Sequence, residues 1–78
     1  MPVSLVFVHA EIGEEAAVLE ALRNIEGFVE GFLVHGVYEV VVRIKAETLE
    51  KLREIIASRI RKLDEVLSTN AFFIVEQV

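Results

Sequence analysis

The chain states one pattern twice, an apolar extended run followed by an amphipathic helix and a second extended run, all within 78 residues. The first unit runs from Val3 to Val8, through a helix over Glu14 to Asn24, into a strand over Phe28 to Val34. The second begins with a strand over Tyr38 to Ile44, continues through a helix from about Thr48 to Leu63, and closes with a strand over Val66 to Val75. Little chain remains for long loops, which is where catalytic residues are usually carried.

Periodicity sets the helices. Leu49, Leu52, Ile56, Ile60 and Leu63, with Ile55 beside them, recur at three- and four-residue intervals and form one apolar stripe. Thr48 or the residue before it supplies the cap, and Arg59, Arg61 and Lys62 fall in the last turns, where cations suit the helix dipole. In the first helix Gly13 opens the element, Glu14 and Glu15 sit in its first turn, and Val18, Leu19, Leu22 and Ile25 make the buried stripe before Gly27 ends it. Between the units, His35-Gly36-Val37 is short enough to require a hairpin, with Gly36 free to adopt a positive φ. Two such units joined by a hairpin give an α+β, ferredoxin-like βαββαβ fold. Right-handed crossovers then order its four-stranded antiparallel sheet 4-1-3-2, with both helices on one face.

The sheet is apolar on both sides. Val3, Leu5 and Phe7 alternate with Val6 and Val8; Phe28, Phe32 and Val34 oppose Val29 and Leu33; Phe72 and Ile74 oppose Phe73 and Val75. Helices cover only one face, so the other is expected to meet a second copy of the chain or something equally apolar.

Composition excludes several classes. Cysteine is absent, which removes disulfides and thiolate metal sites and disfavours a secreted mini-protein. No apolar run approaches the roughly 18 residues of a membrane span, and the sequence carries no signal-peptide pattern, so a cytoplasmic protein is expected. A net charge of -5 argues against direct binding to nucleic acid, which relies on many cationic contacts to phosphate. The basic residues concentrate at Arg43, Lys45, Lys51, Arg53, Arg59, Arg61 and Lys62, but Glu47, Glu50 and Glu54 interleave with them, as on a solvated helix face.

The topology gathers the chemically interesting residues at one end: His9 closing strand one, the hairpin from His35 to Glu39, Ser68 and Thr69 opening strand four, and the helix start at Gly13 to Glu15. A metal held by His9, His35 and Glu39 has suitable ligand types but no supporting spacing. Acid–base chemistry by His9 or His35 with Glu39 or Tyr38 lacks any accompanying nucleophile or phosphate-loop signature. A third reading is a small-molecule pocket made from hairpin backbone and side-chain hydroxyls, completed by a neighbouring subunit, which would need no catalytic residue, metal or cofactor.

The stretches Gly27 to Ile44 and Val66 to Ala71 resemble the effector domain of the Lrp/AsnC family of transcription regulators, the RAM domain, and the likeness spans essentially the whole chain. The family hairpin reads valine-threonine-glycine-x-tyrosine-aspartate; here it is Val34-His35-Gly36-Val37-Tyr38-Glu39, with His35 for threonine and Glu39 for aspartate. Thr69 keeps the first threonine of strand four, while Ala71 replaces the second. The resemblance implies dimers paired sheet to sheet, assembly of dimers into rings, and an amino-acid effector held between dimers by His35, Gly36, Tyr38, Glu39 and Thr69. Since the sequence opens at strand one without a helix-turn-helix segment, a stand-alone member is expected, one that senses a metabolite or joins a full-length regulator without touching DNA. The implied function is a non-enzymatic amino-acid-binding and oligomerisation module regulating transcription or amino-acid metabolism. The alternative is a small dimeric α+β-barrel enzyme of monooxygenase or isomerase type, because folds of this shape host both roles. A deep pocket between helices and sheet within one subunit would favour the enzyme.

Overall fold

The computed structural model describes residues 1–78. Its strands are β1 (Val3–Ala10), β2 (Phe28–Leu33), β3 (Val40–Lys45) and β4 (Val66–Phe73), and its helices are α1 (Glu15–Arg23) and α2 (Leu49–Ile55). All strand pairings are antiparallel in the spatial order β2-β3-β1-β4, the βαββαβ ferredoxin-like arrangement.

Alternation along β1 decides which face is covered. Ser4, Val6, Val8 and Ala10 are buried, and they join Val40, Val42 and Ile44 of β3 beneath Val18 and Leu22 of α1 and Leu52 and Ile55 of α2. Both helices therefore share one side of the sheet. Fully burying aliphatic side chains of this size contributes about 1.5–3 kcal/mol each, and this single layer holds the domain together.

The second helix departs from the expected α-helix over Thr48 to Leu63. Thr48 caps it, its hydroxyl accepting from the Lys51 N–H at 3.0 Å. Beyond Ile55 the chain widens into a π-helical turn over Ile56–Ile60, in which the Arg61 N–H reaches five residues back to the Ile56 carbonyl. The Ser58 hydroxyl donates to the Glu54 carbonyl, a side-chain competitor for the backbone ladder at that point. Arg61 and Lys62 thus lie outside the helix rather than in its last α-turn.

Strand boundaries follow pairing more than hydropathy. β1 runs on to Ala10 because polar His9 pairs with Ser68 and Ala10 with Val66, across a register shift. β4 stops at Phe73: the Ile74 N–H bonds the Val3 carbonyl, and beyond it β1 offers no partner for Val75. In β2 a register shift between Phe28 and Glu30 sends Phe28 into the core opposite Ile44 and leaves Phe32 on the open face opposite Val41. The expectation that Phe28 and Phe32 share a face is corrected by that bulge, which inserts one unpaired residue and reverses the alternation.

The open face carries an apolar patch with Asn70 and Arg43 set among its hydrophobic residues. The Phe7 ring meets Phe72 edge-on at 5.6 Å and Tyr38 at 5.9 Å, while Phe32 and Phe72 remain 51% and 53% exposed. At its far edge Arg43 Nε is 2.8 Å from Glu30 Oε2.

Candidate functional site

The β2–β3 connection builds one end of the molecule. The Val34 N–H donates to the Glu39 carbonyl at 2.9 Å, and the Glu39 N–H reaches Val8 at 3.3 Å, so four residues, His35 to Tyr38, form the loop. None of the N–H groups in that loop donates to a backbone carbonyl. Contrary to the sequence expectation, Gly36 does not adopt a positive φ; only Gly13 and Gly27 do. A four-residue loop spreads the reversal over more bonds than a tight two-residue turn, so no left-handed residue is needed.

Glu39 is the best-held side chain of the group. Its Oε1 accepts from the Ala10 N–H at 2.8 Å and lies 2.9 Å from His9 Nδ1; Oε2 is 3.0 Å from the same nitrogen. The Ala10 N–H holds the carboxyl below its ordinary range; partial desolvation opposes this and the His9 imidazole reinforces it. Glu39 is therefore an anion at neutral pH, bridging β3 to the irregular end of β1. His9, a candidate metal ligand or base by residue type, lies against this carboxylate and meets no third metal-ligating side chain.

The remaining residues divide. Tyr38 turns to the open face and packs on Phe7. His35 and Gly36 are exposed at the loop, and His35 makes no side-chain hydrogen bond. Thr69 pairs with Val8 on the helix side of β4, where its hydroxyl accepts from Arg61 Nε at 2.9 Å. β1 lies between β4 and the hairpin, so two strand spacings, about 10 Å, separate Thr69 from the Tyr38–Glu39 pair within one chain. No three His, Asp or Glu side chains converge as metal ligands would; His9 and Glu39 meet, and His35 does not join them.

A hollow of about 300 Å³ opens between the hairpin and the start of α1, lined by Glu15, Leu33, Val34, His35 and Glu39. Nothing in the sequence marks Glu15 as a site residue, although the helix start it belongs to falls at the expected end. A larger hollow, about 460 Å³, lies at the opposite end around Gly27, Lys45, Thr48 and Lys51. Its Lys51 is already engaged, 3.0 Å from Glu54 and 3.7 Å from Glu26, and the two carboxylates raise its pKa.

The fold is a ferredoxin-like sheet with one helix-covered face, and a hollow of small-molecule size lies beside its β2–β3 hairpin. The Lrp/AsnC ligand binding domain model matches residues 5–78, and the chain belongs to that family. Among solved structures it is similar to FFRP-DM1, at 27% identity and a TM-score of 0.92, covering 96% of this chain and 100% of that one. A hypothetical protein from Pyrococcus horikoshii is similar at 26% identity and a TM-score of 0.91, covering 99% of this chain and 93% of that one. A transcriptional regulator from Neisseria meningitidis, crystallised as a complex with L-Met, shares the fold at 9% identity and a TM-score of 0.86, covering 99% of this chain but 51% of its own. No curated protein matches the sequence significantly. No helix is long and apolar enough to cross a membrane.

Proposed function

We propose that this chain is a non-enzymatic, oligomeric module that binds a free amino acid and acts in the regulation of transcription or amino-acid metabolism. The observation that carries the reading is where space remains. The layer between helices and sheet, where a barrel enzyme of this shape would hold its chamber, is filled by 13 buried apolar residues, whereas the hollow at the hairpin end is open, with Glu15, His35 and Glu39 set beside the aliphatic Leu33 and Val34. The Neisseria regulator with bound L-Met, a protein of the same fold, supports an amino acid as the ligand class.

In this reading the loop N–H groups around Gly36 receive a carboxylate and Glu39 receives an amino group, with His35 and Tyr38 flanking them. Thr69, on the far side of β1, comes to the ligand from a neighbouring copy. The open face bearing Leu5, Phe7, Phe32, Val41 and Phe72 pairs with a second copy, and such dimers assemble further, alone or with a full-length regulator. Direct DNA contact is not part of the proposal, given the net charge of -5. Thermal-shift measurements against the twenty amino acids test it: a ligand bound only by the folded state raises the melting temperature, by more as its concentration exceeds Kd. Absence of any shift at millimolar concentration would sink the reading.

A further inference from the structure

We infer that the hairpin hollow selects an amino acid with a cationic side chain, and that Glu15 is the residue making the selection. The inference rests on the proposed amino-acid site and names its ligand class. Of the five side chains lining the hollow, two are carboxylates, two are aliphatic and one is the exposed His35; neither lysine nor arginine is among them. A free amino acid brings one carboxylate and one α-amino group. The carboxylate is served by the unpaired loop N–H groups, and the α-amino group by Glu39, which the Ala10 N–H and His9 hold in place as an anion.

That leaves Glu15. It is half-buried at the first turn of α1 and makes no ion pair or side-chain hydrogen bond, so no cation of the chain itself neutralises it within the hollow. With Glu39 across the hollow, it makes the cavity electronegative beyond what one α-amino group neutralises. Leu33 and Val34 form an apolar wall along which a methylene chain can lie, its terminal cation reaching the carboxylate. A volume near 300 Å³ stands at the lower end for ligand sites and suits one amino acid rather than a nucleotide. An acidic side chain would face two carboxylates with no counter-charge, and an apolar one would leave Glu15 desolvated and unpaired.

Calorimetry on the full chain with L-lysine, L-methionine and L-glutamate tests this. L-lysine is expected to bind at least about tenfold more tightly than L-methionine, with L-glutamate weakest; Glu15→Gln should cost L-lysine about ten- to a hundredfold, as loss of one charged hydrogen bond implies, and should bind L-methionine no more weakly than the parent, since the desolvated carboxylate is gone. Equal affinities for L-lysine and L-methionine, tighter binding of L-glutamate, or unchanged L-lysine affinity in Glu15→Gln would each overturn the selection by Glu15 and leave the amino-acid site standing. Failure of all twenty amino acids to bind would overturn the site itself, and this inference with it.

Discussion

His9 Nδ1 lies 2.9 Å from Glu39 Oε1, joining the end of β1 to the start of β3 at the point where the β1–β4 register shifts. The same oxygen takes the Ala10 N–H at 2.8 Å. One carboxylate thus fixes the bulged end of a central strand and closes the base of the hairpin loop. The ligand-binding role proposed for Glu39 and its structural role are therefore coupled. A ligand amine at this carboxylate meets a group already oriented and ionised.

The coupling has a pH signature. Because the folded-state pKa of Glu39 is depressed, its contribution is complete above its ordinary value of 4.5 and is lost as pH falls below that value through the folded-state pKa. Glu39→Gln should lower the melting temperature at pH 7 and narrow its gap to the parent as pH falls below about 4. Thermal unfolding followed by circular dichroism between pH 3 and 7 provides the check, and a gap that stays constant over that range would assign Glu39 no electrostatic role in folding.

Glycine substitutions should separate cleanly. Gly27 has φ +87, and a Cβ there would strike the Lys45 carbonyl, whose own N–H bonds Gly27. Gly27→Ala is expected to destabilise by about 1–3 kcal/mol from backbone strain, and more from the displaced strand end. Gly36→Ala should fall within about 0.5 kcal/mol of the parent, since its nearest contact would be the Tyr38 carbonyl at 3.9 Å. Denaturant titration of both variants distinguishes them.

Much of this architecture was legible in the sequence because two periods dominate it. The alternation of β1 and the three- and four-residue stripe of α2 each point one way, and the strand order follows from handed crossovers. What escaped was whatever tertiary pairing decides. The bulge that parts Phe28 from Phe32 has no local residue signal, the π-helical turn after Ile55 sits in an uninterrupted apolar stripe, and polar His9 is a strand residue only because Ser68 faces it. At the site, hairpin chemistry marked Glu39, but its partners were invisible, since Ala10 donates through a backbone N–H that no sequence motif encodes. Glu15 read as a helix-dipole residue, which it also is.

The two adjacent phenylalanines of β4 face opposite ways and should respond differently to charge. Phe72 stands on the open face against Phe7, whereas Phe73 packs into the helix layer with Arg53 over its ring at 5.6 Å. Phe72→Glu is expected to yield a folded monomer by placing an unpaired charge in the proposed dimer interface, at a cost of several kcal/mol to association. Phe73→Glu should instead impair folding, partly relieved by Arg53. Light scattering with circular dichroism reads both, and a parent protein that is itself monomeric at micromolar concentration would remove the sheet-face dimer from the account.

Ligand binding should then depend on assembly. Thr69 and the Tyr38–Glu39 pair are separated by β1, and Thr69 already accepts from Arg61, so a single chain does not bring them to one small ligand. If Thr69 does contribute, it does so across a contact between copies. The monomeric Phe72→Glu variant, with its hairpin intact, should therefore bind the amino acid at least about tenfold more weakly than the assembled parent. Thr69→Ala in the assembled protein should weaken binding by about two- to tenfold, the worth of one neutral hydrogen bond. Calorimetry on both variants decides the matter: parent-like affinity in the monomer would confine the site to one chain, between the hairpin and α1, and would take Thr69 out of it.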